Sequence, residues 1–159
     1  MFFCIGLIIG LVVMYCFMKR QYDKKIQYKQ IEIVKNVQIS HFLNNWLQMY
    51  QMKKNMVPYI EYMGYKSIAI YGMGILGQRL YDELEESDII VKYAIDQNAA
   101  NIRDLVDVKH PSEELEPVDA VIVTSLYYFN EIKRDMESKM ECPVISLMDC
   151  LAPEYTKFC

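Results

Sequence analysis

Histidine is scarce in this chain and cysteine is scattered. His41 and His110 are the only histidines, neither has a partner at ligand spacing, and the five cysteines contain no CxxC. Cys4 and Cys16 lie in an apolar run; Cys142, Cys150 and Cys159 are eight and nine apart. These spacings exclude the common zinc patterns and read as reduced thiols facing a cytosolic compartment. There is no G-x-S-x-G and no P-loop, which excludes a hydrolase nucleophile elbow and a Walker-type phosphate site. No internal repeat or low-complexity segment occurs.

Charge is unevenly placed. Residues 19–35 carry Lys19, Arg20, Lys24, Lys25, Lys29 and Lys35 against Asp23 and Glu32, a balance of +4 in a chain whose total is −4. Residues 36–159 therefore carry −8, and that acidity argues against nucleic-acid binding, which needs a basic face. The basic stretch suits anionic headgroups.

Charge is missing altogether from residues 1–18, MFFCIGLIIGLVVMYCFM. At 1.5 Å per residue they span about 27 Å, near the ~30 Å of a bilayer core. A cleaved signal peptide needs basic residues before the run and small residues after it; neither is present. Positive charge follows the run instead. The expectation is an uncleaved, single-pass transmembrane anchor over 1–18, with everything after Arg20 in the cytoplasm. Gly6 and Gly10 form GxxxG, a spacing that lets two helices approach in lipid.

Residues 19–65 read as a helical stalk and packing helix. Residues 19–54 contain no Gly or Pro. Ile26, Ile33 and Val37 make a thin apolar stripe; Phe42, Leu43, Trp46, Leu47 and Tyr50 make a stronger one that suits packing on a head. A strict heptad fails, because Ser40, Lys29 and Asn36 fall at its core positions, so a long coiled coil is not expected. Asn55 is placed to cap a short helix that Pro58 enters and Gly64 closes.

From Lys66 to Cys159 strands alternate with helices. Expected strands are 67–71, 89–95, 106–108, 118–124 and 144–147; expected helices are 75–86, with Glu83 facing water, one turn at 112–116, and 128–140. This pattern implies an α/β fold, a Rossmann-like parallel sheet with helices on both faces. Right-handed crossovers favour the order 3-2-1-4-5.

The chemistry sits in SIAIYGMGILGQRL, residues 67–80. An apolar strand runs into Gly72, Gly74 and Gly77 and then a helix. Gly72 permits the tight turn, Gly74 lets backbone approach a pyrophosphate, and Gly77 lets the helix pack closely on the strand. The cradle consists of Gly72, Met73, Gly74, Ile75, Leu76 and Gly77, with free N–H groups and the helix dipole favouring an anion. Asp96 follows 19 residues after Gly77, at the expected end of the second strand. Its carboxylate suits ribose hydroxyls and repels a 2′-phosphate, which favours NAD over NADP; Asp96-Gln97-Asn98 also reads simply as a turn. Thr124 and Ser125 end the strand beside the first one, across the switch point. Their hydroxyls either reach a phosphate or ribose or cap the next helix.

Evidence for catalysis is thin. The Tyr-x-x-x-Lys pair that serves as acid and base in short-chain dehydrogenases is replaced in the head by Phe129-x-x-x-Lys133. Tyr50-x-x-x-Lys54 has the spacing but precedes the first strand.

The stretch IAIYGMGILGQRLYDELEESDIIVKYAIDQNA, with VDAVIVT at 118–124 and CPVISLMDCL at 142–151, resembles the Rossmann-type nucleotide-binding domains of bacterial surface-polysaccharide proteins. These include nucleotide-sugar epimerase/dehydratase-like proteins and the N-terminal domains of sugar acyltransferases. The resemblance covers about residues 66–152. It implies binding of NAD, a nucleotide-sugar or CoA, and a place in surface-polysaccharide synthesis beside partner enzymes or as a homo-oligomer. The expected function is a tethered cytoplasmic nucleotide-binding module. The rivals are an enzyme subunit using Ser125, Tyr127 or Tyr128 and completed by a partner, and an adaptor whose crevice is filled by Tyr71 or Met73.

Overall fold

The computed structural model describes residues 2–99 and 106–151, with side chains from residue 10 onward. Cys4, Gly6 and Cys159 thus lie outside the described side chains, as does the expected domain end beyond Leu151. The chain divides into two compact units, Met1–Val37 and Gln38–Cys159.

Helix α1 covers Phe2–Gln51. Among the described residues no helix is long and apolar enough to cross a membrane, so the transmembrane anchor expected over 1–18, and with it the single-pass topology, is not supported. The part of the apolar run with described side chains is residues 10–18. The helix continues unbroken into Lys19, Arg20 and Asp23.

The second unit is built on a five-stranded sheet in the order β3-β2-β1-β4-β5. The strands are β1 (Ser67–Tyr71), β2 (Ile90–Ile95), β3 (Val108–Lys109), β4 (Ala120–Val123) and β5 (Val144–Ser146). Every pairing is parallel. The order is the one expected, and the strands are shorter than expected at several ends. The turn expected at 112–116 forms no helix: Glu113 folds back so that its Oε1 accepts from His110 N at 2.7 Å, closing a tight bend.

Strand alternation divides the core. Ile68 and Ile70 face one side with Ala94, Ala120 and Ile122. Phe42, Trp46 and Met49 of α1, Ile60 of α2 (Val57–Tyr62) and Leu76, Leu80 and Leu84 of α3 (Ile75–Leu84) cover that side. Ala69, Tyr71, Tyr93 and Val123 face the other, covered by Phe129, Ile132 and Met136 of α4 (Phe129–Glu137). Helices therefore lie on both faces.

Two carboxylates tie segments remote in the chain together, and neither role was evident from periodicity. Glu83, expected to face water, accepts from Trp46 Nε1 and from Met56 N, both at 2.6 Å. It supplies the acceptor at the N-terminus of α2, where Met56 is the N-cap and makes no side-chain cap bond. Asn55 does not cap. Removing Glu83 strands an indole N–H and a buried backbone N–H. Glu83→Ala is expected to lower unfolding free energy by about 2 kcal/mol, measured by urea denaturation, and Glu83→Gln by less.

Asp119 accepts from Lys66 N at 2.8 Å and Ser67 N at 2.7 Å, fixing the entry to β1. The Ser67 and Lys66 backbone N–H groups hold its carboxyl below the ordinary aspartate value. A depressed folded value means the stabilisation is complete above the unfolded value and disappears as pH falls through the folded one. Asp119→Asn is therefore expected to lower the urea midpoint at pH 7 and to leave it little changed near pH 2.

Candidate functional site: a cleft at the carboxyl end of the sheet

The glycine turn leaves β1 at the point where strand order reverses, between β2 and β4. Gly72 adopts φ +96°, a left-handed conformation that an L side chain resists. A Cβ there would also lie 2.8 Å from Thr124 Oγ1. At Gly77 a Cβ would stand 2.0 Å from Gly72 O. The close approach is thus helix to turn, within the cradle itself, rather than helix to strand. Gly74 differs: it is exposed, it is the N-cap of α3, and a Cβ there meets nothing within 4 Å. Its bareness serves no internal packing.

Around this turn the expected site residues separate into those that build it and those that face open space. Met73 is buried in the core on the α3 side, and Leu76 lies there too. Ile75 is exposed at the first turn of α3. The first-turn N–H groups have no intrahelical partner by the geometry of any helix start. Thr124 Oγ1 contacts Gly72 O at 2.6 Å and Tyr71 O at 3.1 Å. It is a buried strut that donates to the turn and does not present its hydroxyl to the cleft. It does not cap the following helical turn either, where Ser125 is the N-cap and makes no side-chain cap bond.

Asp96 has a similar internal role. Its Oδ2 accepts from Met73 N at 2.9 Å and its Oδ1 from Asn98 N at 2.9 Å. The turn reading and the site reading therefore describe the same residue. A carboxylate offers about four lone-pair sites, so capacity for ligand hydroxyls remains.

The cleft itself has a volume of about 470 Å³. Gly72, Asp96 and Ser125 line it together with Tyr71, Gln97, Asn98, Tyr128, Glu131, Ile132 and Asp135. Of the expected site residues Gly72, Asp96 and Ser125 line it, whereas Met73, Gly74, Ile75, Leu76, Gly77 and Thr124 do not, and α4 forms a wall that went unrecognised in the sequence. The signal for it was present: Tyr128, Glu131, Ile132 and Asp135 recur at helical spacing on the element following β4.

The cleft is acidic. Asp96, Glu131 and Asp135 line it, with no Lys or Arg among the lining residues. Asp135 is paired with Lys139 at 2.7 Å. Among the described residues no His, Cys, Asp and Glu group assembles as a metal site. Tyr71 forms a buried wall, and burial first, then the Asp135 and Asp96 carboxylates, push its phenol above the ordinary tyrosine value, with a Gln97 hydrogen bond opposing.

The remaining candidates for chemistry divide between the cleft and its surroundings. Lys133 Nζ lies 5.7 Å from the Phe129 ring centroid and 3.6 Å from Glu137 Oε1, so the pair at the dehydrogenase spacing is a cation–π contact on α4. Ser125 and Tyr128 line the cleft; Tyr127 does not. Cys150 is buried, and burial foremost pushes its thiol up to about 12, which makes it inert.

No protein-family model, curated protein or solved structure matches this chain.

Proposed function

We propose that the second unit is a nucleotide-binding module for NAD or a nucleotide-sugar, without a complete catalytic site of its own. The observation that carries this reading is the open cleft at the switch point, with Gly72, Asp96 and Ser125 all on its walls. Ligands of open parallel sheets bind at that point. The pyrophosphate lies on the first turn of α3, where Gly74 leaves bare backbone and the helix dipole favours an anion. The ribose hydroxyls bond to Asp96.

The cleft's carboxylates supply the selectivity. A phosphate monoester on the ribose, as in NADP or CoA, meets Asp96 and Glu131 with no lining cation to offset them. NAD and nucleotide-sugars lack that group. The resemblance to surface-polysaccharide proteins supplies the setting for this reading: delivery to, or regulation of, a partner enzyme. Tyr71 or Met73 filling the phosphate position would favour the vestigial-crevice reading. Met73 is instead buried in the core, and Tyr71 forms a wall of an open space.

Isothermal titration of the full chain with NAD, NADP, a UDP-sugar and CoA tests the proposal. NAD or the UDP-sugar is expected to bind in the micromolar range, with NADP and CoA at least tenfold weaker. Absence of heat with all four, at sub-millimolar sensitivity, would remove the binding assignment.

A further inference from the structure

The charges of α4 are sorted between its faces. The helix carries Glu131, Asp135 and Glu137 against Lys133 and Arg134. Of these only Glu131 and Asp135 line the cleft. Lys133 turns to Glu137 and to the Phe129 ring, and Arg134 donates from Nε to Asn130 O at 3.0 Å. Glu131 and Asp135 are four residues apart, which makes two like charges neighbours on one helix face. Asp135 shares its charge with Lys139. Among the described residues Glu131 forms no ion pair.

Two aromatic rings share the cleft with these carboxylates. Tyr71 and Tyr128 line it, and Ile132 adds an aliphatic surface on the α4 wall. The carboxylates act from two sides, Asp96 from the end of β2 and the other two from α4. Their field converges at the Tyr71 hydroxyl. After burial, Asp135, Asp96 and Glu131 each push that phenol upward, against a Gln97 hydrogen bond. Carboxylates and aromatic faces attract the same species, an organic cation, because the ring face is also negative. A cleft lined by one sign of charge concentrates ligands of the other sign.

We infer that the cleft takes the oxidised dinucleotide, NAD+, with its pyridinium ring against the α4 wall, in preference to NADH and to a nucleotide-sugar. The inference rests on the nucleotide reading and narrows it. With the adenosine ribose on Asp96 and the pyrophosphate at the switch point, the far end of the ligand meets Tyr128, Glu131 and Asp135. A pyridinium is planar, aromatic and positively charged. The Tyr128 ring suits its face, and the two carboxylates suit its charge. The reduced ring of NADH keeps the amide and loses the charge. A hexose offers hydroxyls to the carboxylates but no charge to offset them. NAD+ is thus the least negative of the three ligands, and the cleft has no lining cation to compensate the others.

Isothermal titration of the full chain at low ionic strength compares NAD+ with NADH, which differ only at the nicotinamide ring. NAD+ is expected to bind about tenfold more tightly, with the preference shrinking as salt is added. In the double variant Glu131→Gln/Asp135→Asn the two affinities are expected to come within about twofold of each other, since charge leaves the wall while its shape is kept. Both side chains are exposed, and urea denaturation is expected to show the variant folded. Glu131→Gln alone breaks no described ion pair and is expected to lower the preference in the same direction. NADH binding as tightly as NAD+, a UDP-sugar binding more tightly than NAD+, or a preference that survives the double substitution would overturn the inference and leave the nucleotide reading standing. No heat from NAD+, NADH or the UDP-sugar would remove the nucleotide reading, and this inference with it.

Discussion

Gly77→Ala is expected to destabilise the second unit by about 3 kcal/mol or more, the upper range for overpacking. The new methyl would lie 2.0 Å from Gly72 O and 3.4 Å from Met73 Sδ. The sulfur can move, but the carbonyl cannot. Gly72 is held by its own N–H to Ile95 O at 2.8 Å and by Thr124 Oγ1 at 2.6 Å from its oxygen. Relief requires α3 to withdraw, which opens the core at Leu76 and Leu80. Urea denaturation measures the loss. Gly74→Ala is the counterpart. Its Cβ meets nothing, so stability is expected to change by less than about 0.5 kcal/mol, while nucleotide affinity falls because the methyl covers the bare backbone. Equal stability losses for the two variants would contradict this division of labour, and unchanged affinity in Gly74→Ala would remove the phosphate from that turn.

Asp96→Ala is expected to act on folding and on binding together. The substitution leaves Met73 N–H unpaired at a residue that is 1% exposed. Losing a charge-assisted bond to a buried donor costs about 2–3 kcal/mol. It also removes the group assigned to the ribose. Asp96→Asn retains an oxygen for Met73 N and is expected to recover most of the stability. Its ligand preference should shift, with NADP gaining relative to NAD because one negative charge has left the cleft. Titration of both nucleotides into both variants measures that ratio. An unchanged ratio would assign Asp96 to the turn alone.

Gly77, Gly74 and Asp96 show what the amino-acid sequence carries. The run 67–71, the three glycines and Asp96 are local signals. A buried strand, a turn needing positive φ and a helix start each depend on neighbours a few residues away, so sequence carries them. The strand order followed from the same alternation with a general rule of handedness. The roles of Thr124 and Glu83 could not be read in this way. Thr124 is 52 residues from Gly72 and Glu83 is 37 from Trp46. Which of several polar side chains meets which backbone group is settled only when the elements pack. On helical spacing alone Glu83 belongs to the wet face of α3, yet Trp46 and Met56 make it an anchor.

The apolar N-terminus shows the opposite error. Composition over residues 1–18 pointed to a bilayer span. The structure joins that run to a charged segment within one helix, and no described helix meets the requirement for a span.

Sequence by itself determined the alternation of strand and helix, the glycine turn and the acidic character of residues 36–159, because each is a property of short windows or of composition. Only tertiary structure decided that α4 walls the cleft, that Thr124 and Asp96 bond to the backbone of the glycine turn, and that Gly77 spares Gly72 rather than the strand. Those outcomes depend on distances between residues remote in the chain, and such distances exist only once the two faces of the sheet are covered.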